Sequence, residues 1–355
     1  MTSTDFDTDK LMAFVFRAVD EVGATLNCAL VVMGDRLGYY RFLAEAGPTT
    51  AAELARGTGT GEPYAREWLS AQAAGGFVEY DTSSGRFTLP AEYAVALTDE
   101  NSPAFLPGFF QIALGTVSDT TAVMAAARGV GGVGWHERNG DVHSGCERFF
   151  RPGYAANLVD GWLPALDGVV EKLQSGASAA DVGCGHGWST VLMAKAFPNS
   201  TFVGYDFHPS SIENARLHAQ EHGVLANTRF EVAKAKEYPG NGFDLVTFFD
   251  CLHDMGDPAG AAAHVRQSLK PDGTWMVVEP MAGDRLEDNL NPVGRLYYAG
   301  STMVCVPTSL SQEVGAALGA QAGEAKLREV ITAGGFARVR RATETPFNMI
   351  LEARL

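Results

Sequence analysis

The chain has 355 residues, of which 46% are hydrophobic and 19% are charged, and its formal net charge is −15. The length exceeds that of one ordinary domain, and the composition excludes a chain that is disordered over most of its length. The acidic balance argues against a protein that grips nucleic acid, because phosphate binding needs clustered Lys and Arg.

The amino terminus and the cysteines indicate the compartment. The first 23 residues carry acidic side chains where an export signal needs a basic region, and the sequence has no run of apolar residues long enough to span a membrane. The five cysteines are far apart and form no CxxC pair, which argues against a disulfide framework and a structural zinc site. We therefore expect a cytoplasmic protein.

The first 99 residues predict a helical domain that ends in a winged helix. Apolar residues keep a helical spacing from Asp9 to about Arg41, with an interruption near Gly23 that predicts two helices. Residues 47–90 then contain Thr49 as a possible helix cap, a short helix, a glycine-rich turn, a second helix that ends at residues 75–76, and two strands joined by a Ser-Ser-Gly turn. Residues 41–90 hold four basic and six acidic residues, so DNA contact is disfavoured.

Two further regions follow. Residues 100–174 predict a helical bridging region with a glycine-rich bend at residues 128–140. Residues 175–355 alternate short apolar strands with helices, which is typical of a parallel sheet covered on both faces. The predicted strands are SAADVG, TFVGYD, TRFEVA, FDLVTFFD, TWMVVEP, ARVRRATE and FNMILEAR. The link between the last two strands is too short for a crossover helix, so we expect that pair to be antiparallel.

A glycine-rich turn directly follows the first of these seven strands. Asp181 is followed by Gly183, Gly185 and Gly187, and a helix begins next. Glycines at such a turn let the backbone pass close to a nucleotide-like ligand at the carboxyl edge of the sheet. The GxGxG spacing differs from the GxGxxG that seats a dinucleotide pyrophosphate, which argues against an NAD-dependent oxidoreductase.

A second acidic residue, Asp206, ends the following strand, 25 positions after Asp181. An ionised carboxylate at this place can accept hydrogen bonds from both hydroxyl groups of a ribose. The turn and this residue together predict a nucleoside-containing ligand.

With these motifs, residues 175–355 resemble the class I S-adenosylmethionine-dependent methyltransferases. The whole chain is similar to two-domain bacterial enzymes of the small-molecule O-methyltransferase type. The resemblance implies an α/β fold with a Rossmann-like seven-stranded sheet, mostly parallel with the last strand antiparallel, preceded by a mainly helical winged-helix domain for dimerisation or for covering the substrate. It also implies S-adenosylmethionine as the cofactor and S-adenosylhomocysteine as its product.

The resemblance further implies which residues contact the cofactor. Family members often hold the adenine amino group with an acidic residue after the third strand, whereas this chain has Ala233-Lys234-Ala235 there, so we expect backbone contacts. Asp206 is expected at the ribose and Phe207 beside the adenine. The predicted cofactor-binding residues are Asp181, Gly183, Cys184, Gly185, Gly187, Asp206, Phe207, Ala233, Lys234, Ala235, Asp250 and Tyr154.

The fourth strand ends in FFDCLHDMGDP, which brings Asp250, His253 and Asp254 to the same edge. A similar LHDW segment supplies a histidine general base in plant-type O-methyltransferases, so the resemblance implies this role for His253; the alternative is a residue of the pocket wall. Glu279, after the fifth strand, pairs with His253, faces the substrate or caps a helix. The predicted catalytic residues are His253, Asp254 and Glu279.

Aromatic and Met side chains supply candidates for an apolar substrate pocket, although such residues also build ordinary cores. The candidates are Phe150, Trp162, Tyr297, Tyr298 and Met303. No helical HxxxH or paired-carboxylate pattern indicates a metal, so we expect a metal-free mechanism.

The sequence therefore predicts an enzyme that transfers a methyl group from S-adenosylmethionine to a small-molecule acceptor, with oxygen favoured, by in-line displacement. The expected assembly is a homodimer, with neither nucleic acid nor membrane as a partner. One alternative is a cofactor-sensing regulator that reads DNA with its winged helix; an NAD-dependent oxidoreductase is another.

Overall fold

The structure of the protein is a computed structural model that describes residues 6–129 and 131–355. The first five residues of the predicted winged-helix domain, and Val130 in the predicted glycine-rich bend, lie outside the described residues. The chain forms two compact units. One runs up to Leu114 and includes Asp141–Pro152, and the other consists of Gly115–Gly140 and Gly153–Leu355.

The elements follow in chain order. The helices are α1 (Thr8–Arg36), α2 (Tyr39–Ala46), α3 (Ala51–Thr58), α4 (Glu62–Ala74), α5 (Ala91–Thr98), α6 (Pro107–Ser118), α7 (Thr120–Gly129), α8 (Gly140–Asn157), α9 (Val169–Ser175), α10 (Trp188–Ala196), α11 (Pro209–Glu221), α12 (Pro258–Ser268), α13 (Pro292–Gly300), α14 (Val306–Leu310) and α15 (Gly323–Ala333). The strands are β1 (Glu79–Asp81), β2 (Arg86–Thr88), β3 (Ser178–Val182), β4 (Thr201–Asp206), β5 (Thr228–Val232), β6 (Phe243–Phe249), β7 (Leu269–Pro280), β8 (Arg338–Glu344) and β9 (Asn348–Arg354).

The first helix is longer than the sequence predicts. α1 continues through Gly23 without a break, so the predicted interruption there is wrong. A glycine inside a helix costs only about 1 kcal/mol relative to alanine, which the flanking turns can offset. The helix begins where the Asp7 side chain accepts a hydrogen bond from the Lys10 backbone N–H.

The winged helix is present as predicted, with one correction at its start. Thr50, not the predicted Thr49, caps α3: its hydroxyl accepts a hydrogen bond from the Glu53 N–H, and the Glu53 carboxylate accepts one from the Thr50 N–H. Thr49 instead pairs through its backbone with Phe87 of β2. α3 and α4 are then followed by the antiparallel wing of β1 and β2.

The second unit contains a seven-stranded sheet in the order β5-β4-β3-β6-β7-β9-β8. β9 runs antiparallel to both of its neighbours, and the other pairings are parallel. The seven predicted strands and the predicted antiparallel strand at the end are therefore confirmed. The inner strands are runs of buried apolar residues because side chains pack against both faces of the sheet.

The order of the strands fixes where a ligand can bind. From β3 the chain moves outward through β4 to β5, and it then returns to the other side of β3 with β6. In open α/β sheets, the crevice at such a reversal lies at the carboxyl ends of the strands and accepts the ligand. Within the described residues, no helix is both long enough and apolar enough to cross a membrane.

Candidate functional site

The glycine-rich turn between β3 and α10 has a backbone that only glycine adopts easily. Gly183, Gly185 and Gly187 all have φ between +52° and +79°. A Cβ atom on Gly183 would lie 2.7 Å from the Cys251 Sγ, and one on Gly187 would lie 2.7 Å from the Ala215 Cβ. A Cβ on Gly185 would meet nothing within 4 Å, so at this residue the turn borders open space.

Asp181 lies beneath this turn and holds it against α10. Its Oδ2 accepts hydrogen bonds of 2.6 Å from the hydroxyls of Ser189 and Thr190, and its Oδ1 accepts one of 3.2 Å from Thr247. Burial raises the pKa of the Asp181 carboxyl to about 6. The structure thus gives Asp181 a positioning contact, and its direct contact with a ligand stays a prediction.

Asp206 closes the other side of the turn. Its Oδ2 accepts a hydrogen bond from the Gly185 N–H (2.9 Å) and its Oδ1 accepts one from the His208 N–H (2.8 Å). Burial raises the pKa of this carboxyl. Each oxygen of an ionised carboxylate has a second lone pair, so Asp206 retains two acceptor positions. The next side chain, Phe207, is 41% exposed and offers an open aromatic face.

The other predicted residues around the turn differ in their surroundings. Cys184 is buried, packs against Gly204 of β4, and has a pKa that burial raises well above its ordinary value. Ala233 and Ala235 follow β5 and pack partly against the core, while the Lys234 side chain extends into solvent near Glu237. Ligand contacts at these positions remain predictions.

His253 and Glu279 form a buried pair at the carboxyl ends of β6 and β7. His253 lies in a single 3₁₀ turn, Leu252–Asp254, and its Nδ1 is 2.6 Å from Glu279 Oε2. Glu279 Oε1 also accepts a hydrogen bond from the Leu252 N–H (2.9 Å), which fixes the carboxylate. Burial alone would lower the pKa of the imidazole, but the Glu279 carboxylate and Cys305 outweigh it, and the pKa lies well above 6.5.

Asp250 lies beside this pair in a left-handed backbone conformation, with φ of 50°. Its Oδ2 accepts a hydrogen bond from the Tyr154 hydroxyl (3.1 Å), and its Oδ1 accepts one from the Asn348 Nδ2 (2.7 Å). Burial and the charge of Glu279 raise the pKa of Asp250 to about 7. Two polar partners and a strained backbone are features of a functional position.

Asp254, the third predicted catalytic residue, is next to His253 in the chain, but its hydrogen-bond partner is Gln312 and not Glu279. Burial raises the pKa of its carboxyl to about 7. Its backbone carbonyl accepts a hydrogen bond from the Gln312 Nε2 (3.1 Å). The contact therefore ties the histidine turn to a later segment of the chain.

The predicted pocket residues fall into three groups. Trp162 packs near Tyr154 and Phe249, with ring centroids 5.9 and 6.4 Å away, in an aromatic cluster next to Asp250. Tyr297, Tyr298 and Met303 lie on α13 and on the π-helical turn Ser301–Cys305, and all three are half-buried. Phe150 belongs to the other compact unit, where it packs against Phe149, so its place at a pocket stays a prediction.

Several polar residues of the site are not predicted by the sequence analysis. Ser189 and Thr190 follow the glycine turn after Trp188, so two hydroxyls in the first turn of a helix are a sequence signal for this contact. Asn348 gives no such signal because it is 98 residues from Asp250 in the chain. In the part of the chain that the structure describes, no group of three or more His, Cys, Asp and Glu side chains could hold a metal ion.

Comparison with protein families matches two segments of the chain. Residues 173–334 match the family described as a methyltransferase domain, and residues 25–99 match an Rv2258c-like winged HTH domain. The predicted methyltransferase domain and the predicted winged helix are thereby confirmed.

A curated relative covers part of the same region. A ubiquinone biosynthesis O-methyltransferase from Bordetella parapertussis is 35% identical over 133 residues, which are 37% of this chain and 52% of the relative. The chain thus spans about half the length of the curated relatives that it matches.

Solved structures match nearly the whole chain. Mitomycin 7-O-methyltransferase MmcR has a TM-score of 0.70 and 20% identity, with 98% of this chain and 100% of that chain covered. Human N-acetylserotonin methyltransferase, solved in complex with S-adenosylmethionine, has a TM-score of 0.70 and 16% identity, with 100% and 99% covered. At these identities the likeness shows a shared fold. The chain therefore contains a methyltransferase domain that follows a winged helix-turn-helix domain, and it shares its overall fold with these two methyltransferases.

Proposed function

We propose that the protein transfers a methyl group from S-adenosylmethionine to an oxygen atom of a small-molecule acceptor, with His253 as the general base. The observation that carries this proposal is the position of the buried His253–Glu279 pair. The turn that holds His253 touches the glycine-rich turn, because the Cys251 side chain packs on Gly183 and its thiol points to the Val182 carbonyl. A base and a nucleoside-binding turn are therefore neighbours.

The residues around the glycine turn fit the cofactor. The two remaining acceptor positions of Asp206 suit a pair of ribose hydroxyls, and the exposed ring of Phe207 suits a purine face. The open space at Gly185 leaves room for the ligand close to the backbone. Asp250 and Tyr154, which are hydrogen-bonded to each other, are proposed to contact the cofactor at the end of β6.

The chemistry requires little more than alignment and removal of one proton. When bound, S-adenosylmethionine supplies an electrophilic methyl group on a sulfonium, which an aligned acceptor takes by in-line displacement. Since Nδ1 of His253 faces Glu279, Nε2 is the ring nitrogen proposed to accept the proton of an acceptor hydroxyl, on a ring that the Cys305 side chain also contacts. Glu279 orients the ring and stabilises the imidazolium that results. The acceptor would be held by apolar side chains, for which Trp162, Tyr297, Tyr298 and Met303 are the proposed residues.

Calorimetric titration of the ligand-stripped protein with S-adenosylhomocysteine tests this function first. We expect saturable binding with one site per chain. Methyl-labelled S-adenosylmethionine should then label at least one compound of a panel of phenols, with thiols and amines as comparison acceptors. A protein that does not bind S-adenosylhomocysteine at high concentration would contradict the proposed activity, and labelling of thiols or amines alone would contradict the oxygen acceptor.

We propose in addition that the protein is a homodimer joined through α1. This helix exposes a series of large apolar side chains, which is unusual for a surface that stays in water. The exposed residues include Phe14, Phe16, Val19, Val22 and Leu26. Light scattering should give twice the chain mass, and the change Leu26→Glu should lower the mass toward that of one chain.

The matched control for this change is Leu225→Glu, in the turn between α11 and β5. Leu225 is 57% exposed and Leu26 is 65% exposed, so both changes place a charge on a similarly exposed site. The control should keep the mass of the unchanged protein. A monomer mass for the unchanged protein over a wide range of concentrations would refute the dimer.

The proposed partner is a small molecule and not a nucleic acid. On α4, which would be the recognition helix, Arg66 lies 3.4 Å from the carboxylate of Glu67, and this ion pair offsets its charge. A cytoplasmic location is proposed on the basis of the five free cysteines, since a reducing compartment keeps thiols in this form.

A further inference from the structure

The glycine-rich bend found in the sequence packs against a helix that follows the site. We name residues 131–138 the strap. A Cβ atom on Gly132 would collide with the backbone of Pro307, in α14, and of Ser311, which follows α14. The Val133 N–H donates a hydrogen bond of 3.0 Å to the Pro307 carbonyl. The glycines of the bend therefore allow a close approach between two backbones.

The strap ends in Arg138, whose side chain is fully buried. Its Nη1 donates to the Met303 carbonyl (2.9 Å), and its Nη2 donates to the Val304 carbonyl (3.1 Å). Pro307 lies four residues after Met303 and has no N–H, so the Met303 carbonyl lacks the donor that a regular helix would supply. Arg138 replaces this donor, and its charge is partly balanced by Asp119, 3.9 Å away.

The segment that Arg138 holds is also bonded to the histidine turn. The Gln312 side chain bridges the two: its Nε2 donates to the carbonyls of Thr308 and Asp254 (both 3.1 Å), and its Oε1 accepts from the Gly256 N–H (3.1 Å). The Ser309 hydroxyl donates to the Met255 carbonyl (2.8 Å).

A direct backbone contact completes this connection. The Gly319 N–H donates a hydrogen bond of 3.1 Å to the carbonyl of His253 itself. A chain of hydrogen bonds thus leads from Arg138 through α14 and Gln312 to the residues that directly follow His253.

We propose that Arg138 is a positioning residue for His253, because it fixes the π-helical turn and α14, which in turn fix the backbone that directs the imidazole toward Glu279. The proposal rests on the proposed function, because Arg138 can position a general base only if His253 is that base. It also explains why a fully buried guanidinium, which is costly to desolvate, is present in this unit.

Nitrogen-15 NMR of the His253 imidazole tests the proposal without an acceptor. The titratable groups that interact with this ring are Glu279, Cys305, Asp250 and Asp254, and the charge of Arg138 acts on Asp254 and Cys305. If Arg138 acted only through its charge, Arg138→Met would raise the pKa of His253, because a cation that opposes the imidazolium is lost. If Arg138 positions the ring, loss of the Glu279 contact should lower that pKa.

A fall in the titration midpoint of His253 in Arg138→Met, with partial recovery in Arg138→Lys, is the expected result. Gln312→Ala should give the same downward shift of the His253 midpoint, and this change removes no charge. It also tests the proposal if Arg138→Met does not fold. Arg128→Met, which changes an exposed arginine of α7, is the control and should leave the midpoint unchanged. A rise, or an unchanged midpoint in both test variants, would overturn the proposal.

The activity readout is a double-mutant cycle with an acceptor found in the panel above. Arg138→Lys should lower kcat on the order of 10-fold to 100-fold, as expected for a displaced catalytic group, with little change in KM. In a His253→Ala background the same change should have no further effect. If the unchanged protein binds no S-adenosylhomocysteine, the proposed function fails; if it methylates but the two changes are additive, only the role of Arg138 fails.

Discussion

His253→Ala is expected to lower turnover by about 10²-fold to 10⁴-fold, the range that a general base contributes, and to leave the affinity for S-adenosylhomocysteine unchanged. The imidazole is buried next to Glu279 at the edge of the site, while the proposed ribose and adenine contacts come from β4 and the residue after it. Single-turnover methylation and calorimetry on the same preparation measure the two quantities separately.

The control for this change is His264→Ala in α12. The His264 Nε2 lies 2.9 Å from the Tyr238 carbonyl, so the change also removes a hydrogen-bonded imidazole from this unit. Turnover should be retained in the control. Equal losses of turnover and of cofactor affinity in His253→Ala would instead identify His253 as part of the pocket wall.

The pH dependence of turnover follows from the hydrogen-bonded pair of His253 and Glu279. The pKa of His253 lies well above 6.5 in the folded protein, and an imidazolium cannot accept a proton. Turnover should therefore rise as the pH increases through this raised pKa. Glu279→Gln removes the carboxylate that favours the imidazolium, so the rising limb of the profile should move to lower pH while the maximum rate falls.

Asp206→Ala is expected to weaken the binding of S-adenosylhomocysteine by about 10²-fold to 10⁴-fold, because two hydrogen bonds to a charged acceptor contribute about 1.5–3 kcal/mol each. The change also removes the acceptor of the Gly185 and His208 N–H groups, which loosens the turn. Since burial raises the pKa of Asp206, the affinity of the unchanged protein should fall as the pH drops through that pKa. Calorimetry at neutral and acidic pH measures both effects.

Asp244→Ala is the matched control for the ribose site. Asp244 lies at the amino end of β6, where it accepts hydrogen bonds from the Ser178 N–H (3.0 Å) and from Lys270. The control therefore perturbs a carboxylate bonded to the backbone at the opposite edge of the sheet, and it should keep the affinity. Unchanged affinity in Asp206→Ala would refute the placement of the ribose.

The sequence by itself determined the parts of the protein that depend on local patterns. Short apolar runs separated by helices fix the seven strands, and the short link before β9 fixes its antiparallel direction. The glycine-rich turn and Asp206 are readable because each directly follows or ends a strand. The winged helix is also predicted from local patterns, with an error of one residue at the cap of α3, which is Thr50 and not Thr49.

Only the tertiary structure decided which side chains meet. Glu279 could pair with a histidine, face a substrate or cap a helix, and the pairing of β6 with β7 places it against His253. The Asp181 carboxylate accepts hydrogen bonds from hydroxyls of α10 and β6, and the Asp250 carboxylate accepts one from Asn348 on β9. The support that Arg138 gives to the π-helical turn joins residues 165 positions apart. Local patterns cannot encode these contacts, because hydrogen-bond partners far apart in the chain are set by sheet order and burial.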